Sequence, residues 1–330
     1  MTDPTILTLI VNYRTPDLTL RAAEAALREM EGLRGEVLII DNGSGDGSFA
    51  RLTEEAGARG WTAQGRLRVV DAGRNGGFGA GMNHGIRTGL SSGEAPGFYY
   101  LLNSDAWPEP GAIRTLRDTL VAQPKAGLAG SLVQGEDGTP HRTAFRFPTI
   151  AGEFEMAARI GPISRLLKRA IVAMPIPSVT TSVDWTAGAS LMIRAETLEQ
   201  IGLFDETFFL YFEETDLCLR AARAGWDTLY VPQSVVGHLG SASTGMKEWA
   251  RIPAYWFDSR HHYFTKNHGR AYAGAATLAR GAGQAIWHLR RLVTGRPNTG
   301  PERFLRDLIT HSFRAPTAPV PSVAPKSTED

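Results

Sequence analysis

The sequence predicts an α/β protein whose parallel sheet is covered by helices. Short apolar runs alternate with helix-patterned stretches through the first half, and hydrophobic residues make up 42% of 330, enough for a large core. Asn, Asp and Gly cluster where the apolar runs end. Thr5 to Val11 reads as a buried strand and Asp17 to Met30 as an amphipathic helix. Glu36 to Asp41, Arg66 to Asp71 and Gly97 to Asn103 read as three further strands. Ligands of such sheets bind beyond the carboxyl ends of the strands. Asn12-Tyr13, Asp41-Asn42, Gly73 to Gly81 and Asn103 to Asp105 fall at those ends.

The second half is less regular. Val183 to Arg194 reads as one strand kinked at Thr186-Ala187-Gly188, and Glu213 to Ala224 as a helix closed by Gly225. Asp227 to Val231 reads as a short strand ended by Pro232. Residues 270 to 295 form an Ala/Gly-rich segment ending His288-Leu289-Arg290-Arg291. The stretch from Ala315 is rich in Pro, Ser, Thr and Ala and is expected to be disordered.

Composition excludes several classes. Thirty-five basic residues against 34 acidic leave a net charge of +1, without the basic excess of a nucleic-acid protein. The single cysteine, Cys218, excludes an internal disulfide and fits a reducing compartment. No charged segment followed by a long apolar one opens the chain, and no apolar run of about 18 residues occurs. Neither a signal peptide nor a spanning helix is expected, which makes the cytoplasm the default location.

Five segments carry chemistry. Ile39-Ile40-Asp41-Asn42-Gly43-Ser44 ends a strand in a carboxylate able to accept from a base N–H or a ribose hydroxyl, although Asp46 or Ser48 also suits a plain strand–turn–helix cap. The glycines of Gly73-Arg74-Asn75-Gly76-Gly77-Phe78-Gly79-Ala80-Gly81-Met82-Asn83 let backbone approach a nucleotide or diphosphate, with Arg74 adding charge; a surface loop has the same composition. Leu102-Asn103-Ser104-Asp105 delivers polar residues two apart at a strand end. Mg²⁺ commonly takes one or two carboxylates plus phosphate and water, so one aspartate and a diphosphate suffice; an Asx-turn is the alternative. Glu213-Glu214-Thr215-Asp216 follows the aromatic run Phe208 to Phe212, and burial against rings raises a carboxylate pKa toward that of a neutral-pH base. The same acids also suit a helix's first turn, and Asp216 with Arg220 makes an i,i+4 pair. His238, ahead of Leu239-Gly240-Ser241, is a metal or phosphate ligand or a structural histidine.

In this order, these segments resemble the family 2 glycosyltransferases, particularly their bacterial rhamnosyltransferase-like branch. The likeness rests on Val11-Asn12-Tyr13, Asp41-Asn42-Gly43-Ser44, Asn75-x-Gly77-Phe78 with Gly81 and Asn83, Leu102-Asn103-Ser104-Asp105, Trp185-x-x-Gly188, and Phe204-Asp205-Glu206 through Arg220, with His238 following. It implies a GT-A nucleotide-diphospho-sugar transferase fold, a Rossmann-like mixed sheet flanked by helices with a C-terminal helical extension. The implied domains are a catalytic unit over 1–268, a helical extension over 269–314 and a disordered tail over 315–330.

The resemblance also implies an activity: transfer of rhamnose or another hexose, with inversion, from a dTDP- or UDP-sugar to a glycan or lipid-linked acceptor in cell-surface polysaccharide synthesis. Asn12, Tyr13, Asp41, Arg74, Asn75, Gly77, Asn83, Asn103 and Ser104 would bind the nucleotide. Asp105, the last position of a D-x-D-type motif that here begins with Asn103, would hold Mg²⁺ or Mn²⁺ with His238. Trp185 and Gly188 would meet the acceptor. The base would come from Glu213, Glu214 and Asp216; the chain departs from the family in carrying Glu214 where an aspartate is usual. The rival classes are a sugar nucleotidyltransferase, disfavoured by Asn12-Tyr13-Arg14-Thr15-Pro16 in place of a glycine-rich loop, and a non-catalytic nucleotide-sugar-binding protein. Trp287, His288, Arg290 and Arg291 end a segment suited to packing, to a homodimer contact, or to peripheral contact with an anionic inner membrane face.

Overall fold

A computed structural model describes residues 3–240, 250–295 and 300–312. The tail expected over 315–330 and the small residues 241–244 behind His238 lie outside the described residues. The first half alternates as predicted: β1 (Ile6–Asn12), α1 (Pro16–Glu29), β2 (Gly35–Asp41), α2 (Ser48–Ala58), β3 (Leu67–Asp71), α3 (Phe78–Thr88) and β4 (Phe98–Asn103). There follow β5 (Ala106–Pro108), α4 (Ala112–Ala122), β6 (Ala126–Gln134), β7 (Ala144–Phe145), α5 (Ile150–Ala158) and α6 (Gly161–Leu166). The last part holds β8 (Thr181–Val183), β9 (Trp185–Thr186), β10 (Ser190–Arg194), α7 (Ala195–Ile201), α8 (Glu213–Arg223), β11 (Asp227–His238), α9 (Ala254–His268), α10 (Arg270–Thr294) and α11 (Phe304–Ser312).

The main sheet runs β3-β2-β1-β4-β10-β6-β11-β5, with β8 also on β11. β1 to β4 are mutually parallel, β10 is antiparallel to both β4 and β6, and β11 is parallel to β6. The sheet is thus mixed. The inner strands are apolar at nearly every position because both faces are covered. On one face Ile6, Ile10, Val37 and Ile39 meet Leu20, Ala23, Leu52 and Leu116 of α1, α2 and α4. On the other, Leu7, Leu9, Leu38 and Ile40 meet Met82, Leu198 and Leu217 of α3, α7 and α8. A buried chain of hydroxyls, Tyr100–Ser190–Ser131–Ser234, links four strands across the middle.

Two expectations for the second half are corrected. The kinked strand over 183–194 is three separate strands, since Asp184 turns aside to accept from the Phe147 N–H (2.7 Å) and Trp185–Thr186 pair with β7. The strand expected to stop at Pro232 continues to His238. Its register with β6 shifts between Val231 and Val235, and proline, lacking an N–H, is tolerated at that irregularity.

The C-terminal helices are tied to α5. Glu153 lies buried between Arg260 of α9 (Nε 2.8 Å) and Arg280 of α10 (3.2 Å), and the two guanidinium groups hold its carboxyl below the usual range against the burial that opposes them. Among the described residues no helix is long and apolar enough to cross a membrane.

Candidate active site

β1, β2, β3, β4, β6 and β11 all end on one edge of the sheet, and β10 begins there. Asn12 lies opposite Asp41 and Asp41 opposite Asp71, while Ser190 pairs with Leu102. Parallel order thus gathers residues distant in sequence along one crevice.

On the β1–β2 side, Asp41 is buried and accepts from Asn12 Nδ2 (2.6 Å), Ser44 Oγ (2.6 Å) and Ser44 N (3.0 Å). Asn12 is buried too, its Oδ1 accepting from Thr19 Oγ1 at 2.7 Å. These two side chains shape the edge. Arg14 and Tyr13 stand above them. Arg14 adopts φ +57° and donates its N–H to Ser44 Oγ and its Nε to Ser44 O, both at 3.0 Å. The Tyr13 hydroxyl is buried without a hydrogen-bond partner among the described residues. Asn75 Oδ1 accepts from Asn42 Nδ2 (3.2 Å) and the Gly77 N–H (3.0 Å), folding the glycine loop onto the end of β2.

That loop also anchors the aromatic run. The Phe78 N–H donates to Phe209 O at 3.1 Å, and Gly77 has φ +88° with its α-carbon so close that a side chain would collide with the Phe209 carbonyl. Asn83 donates to Phe204 O and Glu206 (both 2.9 Å) and accepts from Phe204 N (3.0 Å). Arg74 and Arg87 pair with the same Glu206.

Held in this way, the run reaches Tyr211 and Phe212, both at φ +69°, and then α8. Two consecutive non-glycine residues in the left-handed region cost about 1–3 kcal/mol each, a strain typical of functional sites. They lead into α8, whose first turn carries Glu213 and Glu214 at a helix N-terminus, where anions are favoured. One oxygen of each, Oε2, has no hydrogen-bond partner among the described residues. Burial, and then repulsion from Glu214, pushes the Glu213 carboxyl well above its ordinary range. Burial raises Glu214 as well, opposed by backbone N–H groups of its own helix start and of Gly188. A side chain at Gly188 would press on Phe78 (3.3 Å) and stand 3.8 Å from Glu214 Oε1.

The Gly188 turn joins the two halves of the crevice, since Ala189 O accepts from the Asn103 N–H (3.1 Å). Asn103 Nδ2 lies 3.4 Å from His238 Nε2, which in turn lies 3.0 Å from Asp105 Oδ1. β5 makes this meeting possible by turning back to pair Ala106 with His238, and the Leu239 N–H donates to Asp105 O. A carboxylate and an imidazole side by side are suitable donors for a divalent cation that draws its remaining ligands from phosphate and water. Among the described residues no group of three or more His, Cys, Asp or Glu is placed to hold a metal ion, so a cation here would need ligands from the substrate.

The glycosyltransferase-like family 2 model matches residues 4–254, which include every residue of this crevice. The chain belongs to that family. The enzyme is therefore a glycosyltransferase, and its relatives extend the likeness. An N-acetylglucosaminyl-diphospho-decaprenol L-rhamnosyltransferase of Mycobacterium tuberculosis is 30% identical over 227 residues, covering 66% of this chain and 71% of the relative. The mannosyltransferase PcManGT of Pyrobaculum calidifontis, solved with GDP-Man and Mn²⁺, superposes with a TM-score of 0.57 at 15% identity, covering 94% of this chain and 79% of that one. GalNAc-T7, solved with UDP, GalNAc and Mn²⁺, gives a TM-score of 0.57 at 14% identity, covering 94% of this chain and 55% of that one. These superpositions establish a GT-A architecture.

Not every expected site residue faces the crevice of the glycosyltransferase in the same way. Asp216 is wholly buried with both oxygens taken, by Arg220 Nε (2.9 Å), Lys266 Nζ (2.8 Å) and Asn267 Nδ2 (2.9 Å). Asn83 and Arg74 bind the 204–206 loop, and Trp185 stacks on Phe145 at 4.1 Å while donating to Arg146 O. Ser104 meets Thr15 at 3.3 Å. Sequence reasoning missed the braces from α9. Lys266 bridges Asp205 (2.9 Å) and Asp216, and His262 reaches Asp205 (2.9 Å). No motif spacing announces a partnership across some 50 residues.

Proposed function

We propose that this glycosyltransferase is an inverting, metal-dependent enzyme. On this reading it transfers rhamnose or another hexose from a dTDP- or UDP-sugar to a glycan or lipid-linked acceptor at the inner face of a cell membrane. The observation that carries the proposal is the pair of buried, partly unpartnered carboxylates Glu213–Glu214, linked through Gly188 and Asn103 to Asp105–His238. Diphosphate-linked sugar chemistry needs both groups, a base for the acceptor and a charge sink for the leaving diphosphate.

The two glutamates divide the work by environment. Burial, and then the charge of Glu214, raises Glu213 well above its ordinary range, whereas the rise of Glu214 by burial is opposed by backbone N–H groups of its own helix start and of Gly188, which makes Glu214 the better placed base. Glu214 takes the acceptor hydroxyl proton as that oxygen bonds to the anomeric carbon and the bond to the diphosphate oxygen breaks. Attack from the face opposite the leaving group inverts the anomeric centre. Asp105 and His238 would hold Mg²⁺ or Mn²⁺, which when bound offsets charge on the diphosphate. Tyr13, Asp41, Asn75 and Gly77 line the nucleotide half, and Trp185 with Gly188 the acceptor half. Asp216 serves as a brace of α8. The mycobacterial relative's name supports the lipid-linked acceptor, and both solved neighbours, determined with UDP and GalNAc or with GDP-Man and with Mn²⁺, support a nucleotide sugar with Mn²⁺.

A thermal-shift screen of dTDP-, UDP- and GDP-sugars with and without Mn²⁺ tests the reading. Stabilisation by one dTDP- or UDP-sugar that requires the metal is expected. Stabilisation by none of them, or equal stabilisation without metal, contradicts it.

A further inference from the structure

α10 has two apolar faces. Ala273, Ala276, Gly283 and Trp287 face inward, and a side chain at Gly283 would strike the Phe154 carbonyl and Ala157 of α5. Trp287 is therefore a packing residue, with the Arg159 guanidinium 5.4 Å from its ring centroid. The second stripe points outward. Leu278, Ile286, Leu289, Leu292 and Val293 are exposed, the last three by 65%, 73% and 80%. With Ala282 and Ala285, also exposed, they recur every three or four residues, so they form one continuous stripe about 22 Å long. Scattered exposed leucines need no explanation, but an ordered apolar stripe does.

Its surroundings say what fits it. The chain as a whole is charge-balanced, yet no acid occurs between Asp258 and Glu302, or between Glu155 and Asp184. The second of these segments contains α6 with Arg165, Lys168 and Arg169, all exposed, beside the fully protruding Leu166 (83%). Arg290 donates to Arg159 O at 3.0 Å, which puts the start of α6 beside the last turns of α10. Apolar side chains within acid-free, cation-bearing stretches of chain, on a helix that lies along the protein rather than leaving it, match the acyl boundary and phosphate layer of an anionic bilayer.

We infer that the outward face of α10, with the Arg165–Arg169 segment, is a peripheral docking surface for an anionic membrane. It deepens the reading of a lipid-linked acceptor, but it rests on different residues. A second copy of the chain would place these cations against the same cations, an arrangement disfavoured electrostatically.

Co-sedimentation of the full chain with phosphatidylcholine vesicles, with and without phosphatidylglycerol, tests it. Binding is expected only when phosphatidylglycerol is present, and it should weaken in raised salt. L289E/L292E, both at exposed positions, should lower the bound fraction at least about tenfold, since each buried leucine contributes strongly to partitioning. K168E/R169E should lower it by roughly tenfold or more, as each cation near an anionic surface is worth about fivefold. Donor hydrolysis without vesicles should be unchanged in both variants, which separates this surface from the site at Glu214. No binding by the wild-type chain, or binding that both variants retain, overturns the inference. A dimer in sedimentation velocity that L289E/L292E dissociates, without vesicle binding, assigns the stripe to a second copy and overturns it too. Vesicle binding that persists while no lipid-linked acceptor is glycosylated leaves the surface intact and defeats the acceptor reading alone.

Discussion

Glu214→Gln separates the base from everything else the site does. The amide keeps the size and the place of the carboxylate at the start of α8 but cannot accept the acceptor's proton. Removing a general base costs about 10²- to 10⁴-fold in rate, or roughly 3–5 kcal/mol of transition-state stabilisation. The structure argues for the upper part of that range. Burial and the charge of Glu214 raise Glu213, the other acid of the pair, well above its ordinary range and disfavour the ionised form a base needs, so it is a poor substitute. The fold should survive, because the charge removed is one that burial already disfavours. Turnover at saturating donor and acceptor, beside calorimetric titration with the nucleotide, makes the measurement. Turnover should fall into the stated range while nucleotide affinity stays within about twofold, since the β1–β2 half of the crevice is untouched. Near-normal turnover in Glu214→Gln refutes the assignment, and a loss confined to Glu213→Gln transfers the role to the neighbour.

Other outcomes follow from the same geometry. In the wild type the acid limb of the kcat/KM profile should lie above the ordinary glutamate value, because a raised carboxyl must be ionised to act and loses that form as pH falls; a limb at 4.5 or below contradicts the burial argument. Chelation, or Asp105→Ala, should remove most transfer, with added Mn²⁺ restoring the chelated enzyme only; transfer undiminished by chelator would exclude a metal at Asp105–His238. Gly77→Ala should lower stability by about 2–4 kcal/mol through the collision with Phe209 and the strained φ, read as a melting temperature lower by several degrees. Lys266→Met removes one cation shared by Asp205 and Asp216. Arg220 and Asn267 still hold Asp216 and Lys266 is partly exposed, so about 1–2 kcal/mol is expected rather than the full cost of breaking a buried pair. His262 first, and then Lys266, hold the Asp205 carboxyl well below its usual range. That stabilisation is present above the unfolded-state aspartate pKa and is lost as pH falls, so the melting-temperature gap between Lys266→Met and wild type should be widest near neutrality and narrow in acid.

Much of the fold was legible because sheet burial on both faces writes itself into sequence as unbroken apolar runs. Ile6 to Val11 and Val37 to Ile40 could be nothing but inner strands, and the polar residues directly after them had to meet at the sheet edge. The second half was less legible for local reasons. Pro232 reads as a strand breaker until β11 and β6 are seen to slip register around it, and Asp184 reads as part of a strand until its carboxylate is seen to cap the Phe147 N–H.

The site divides along the same line. Residue types and spacing alone determined an α/β protein with acids near Glu213 and a polar strand end at Asn103–Asp105, because parallel strands fix where their ends lie, and the order of its motifs added the resemblance to family 2 glycosyltransferases. Tertiary structure alone decided which acids are fully paired and which are not. Glu213, Glu214 and Asp216 share the first turn of α8, and spacing alone does not say which of them a neighbouring helix engages. Lys266 and Asn267, from a helix some 50 residues away, join Arg220 in pairing with Asp216, whereas one oxygen of each glutamate stays without a hydrogen-bond partner among the described residues. The meeting of Asp105 with His238 depends likewise on β5 turning back along β11, a pairing that no local pattern encodes.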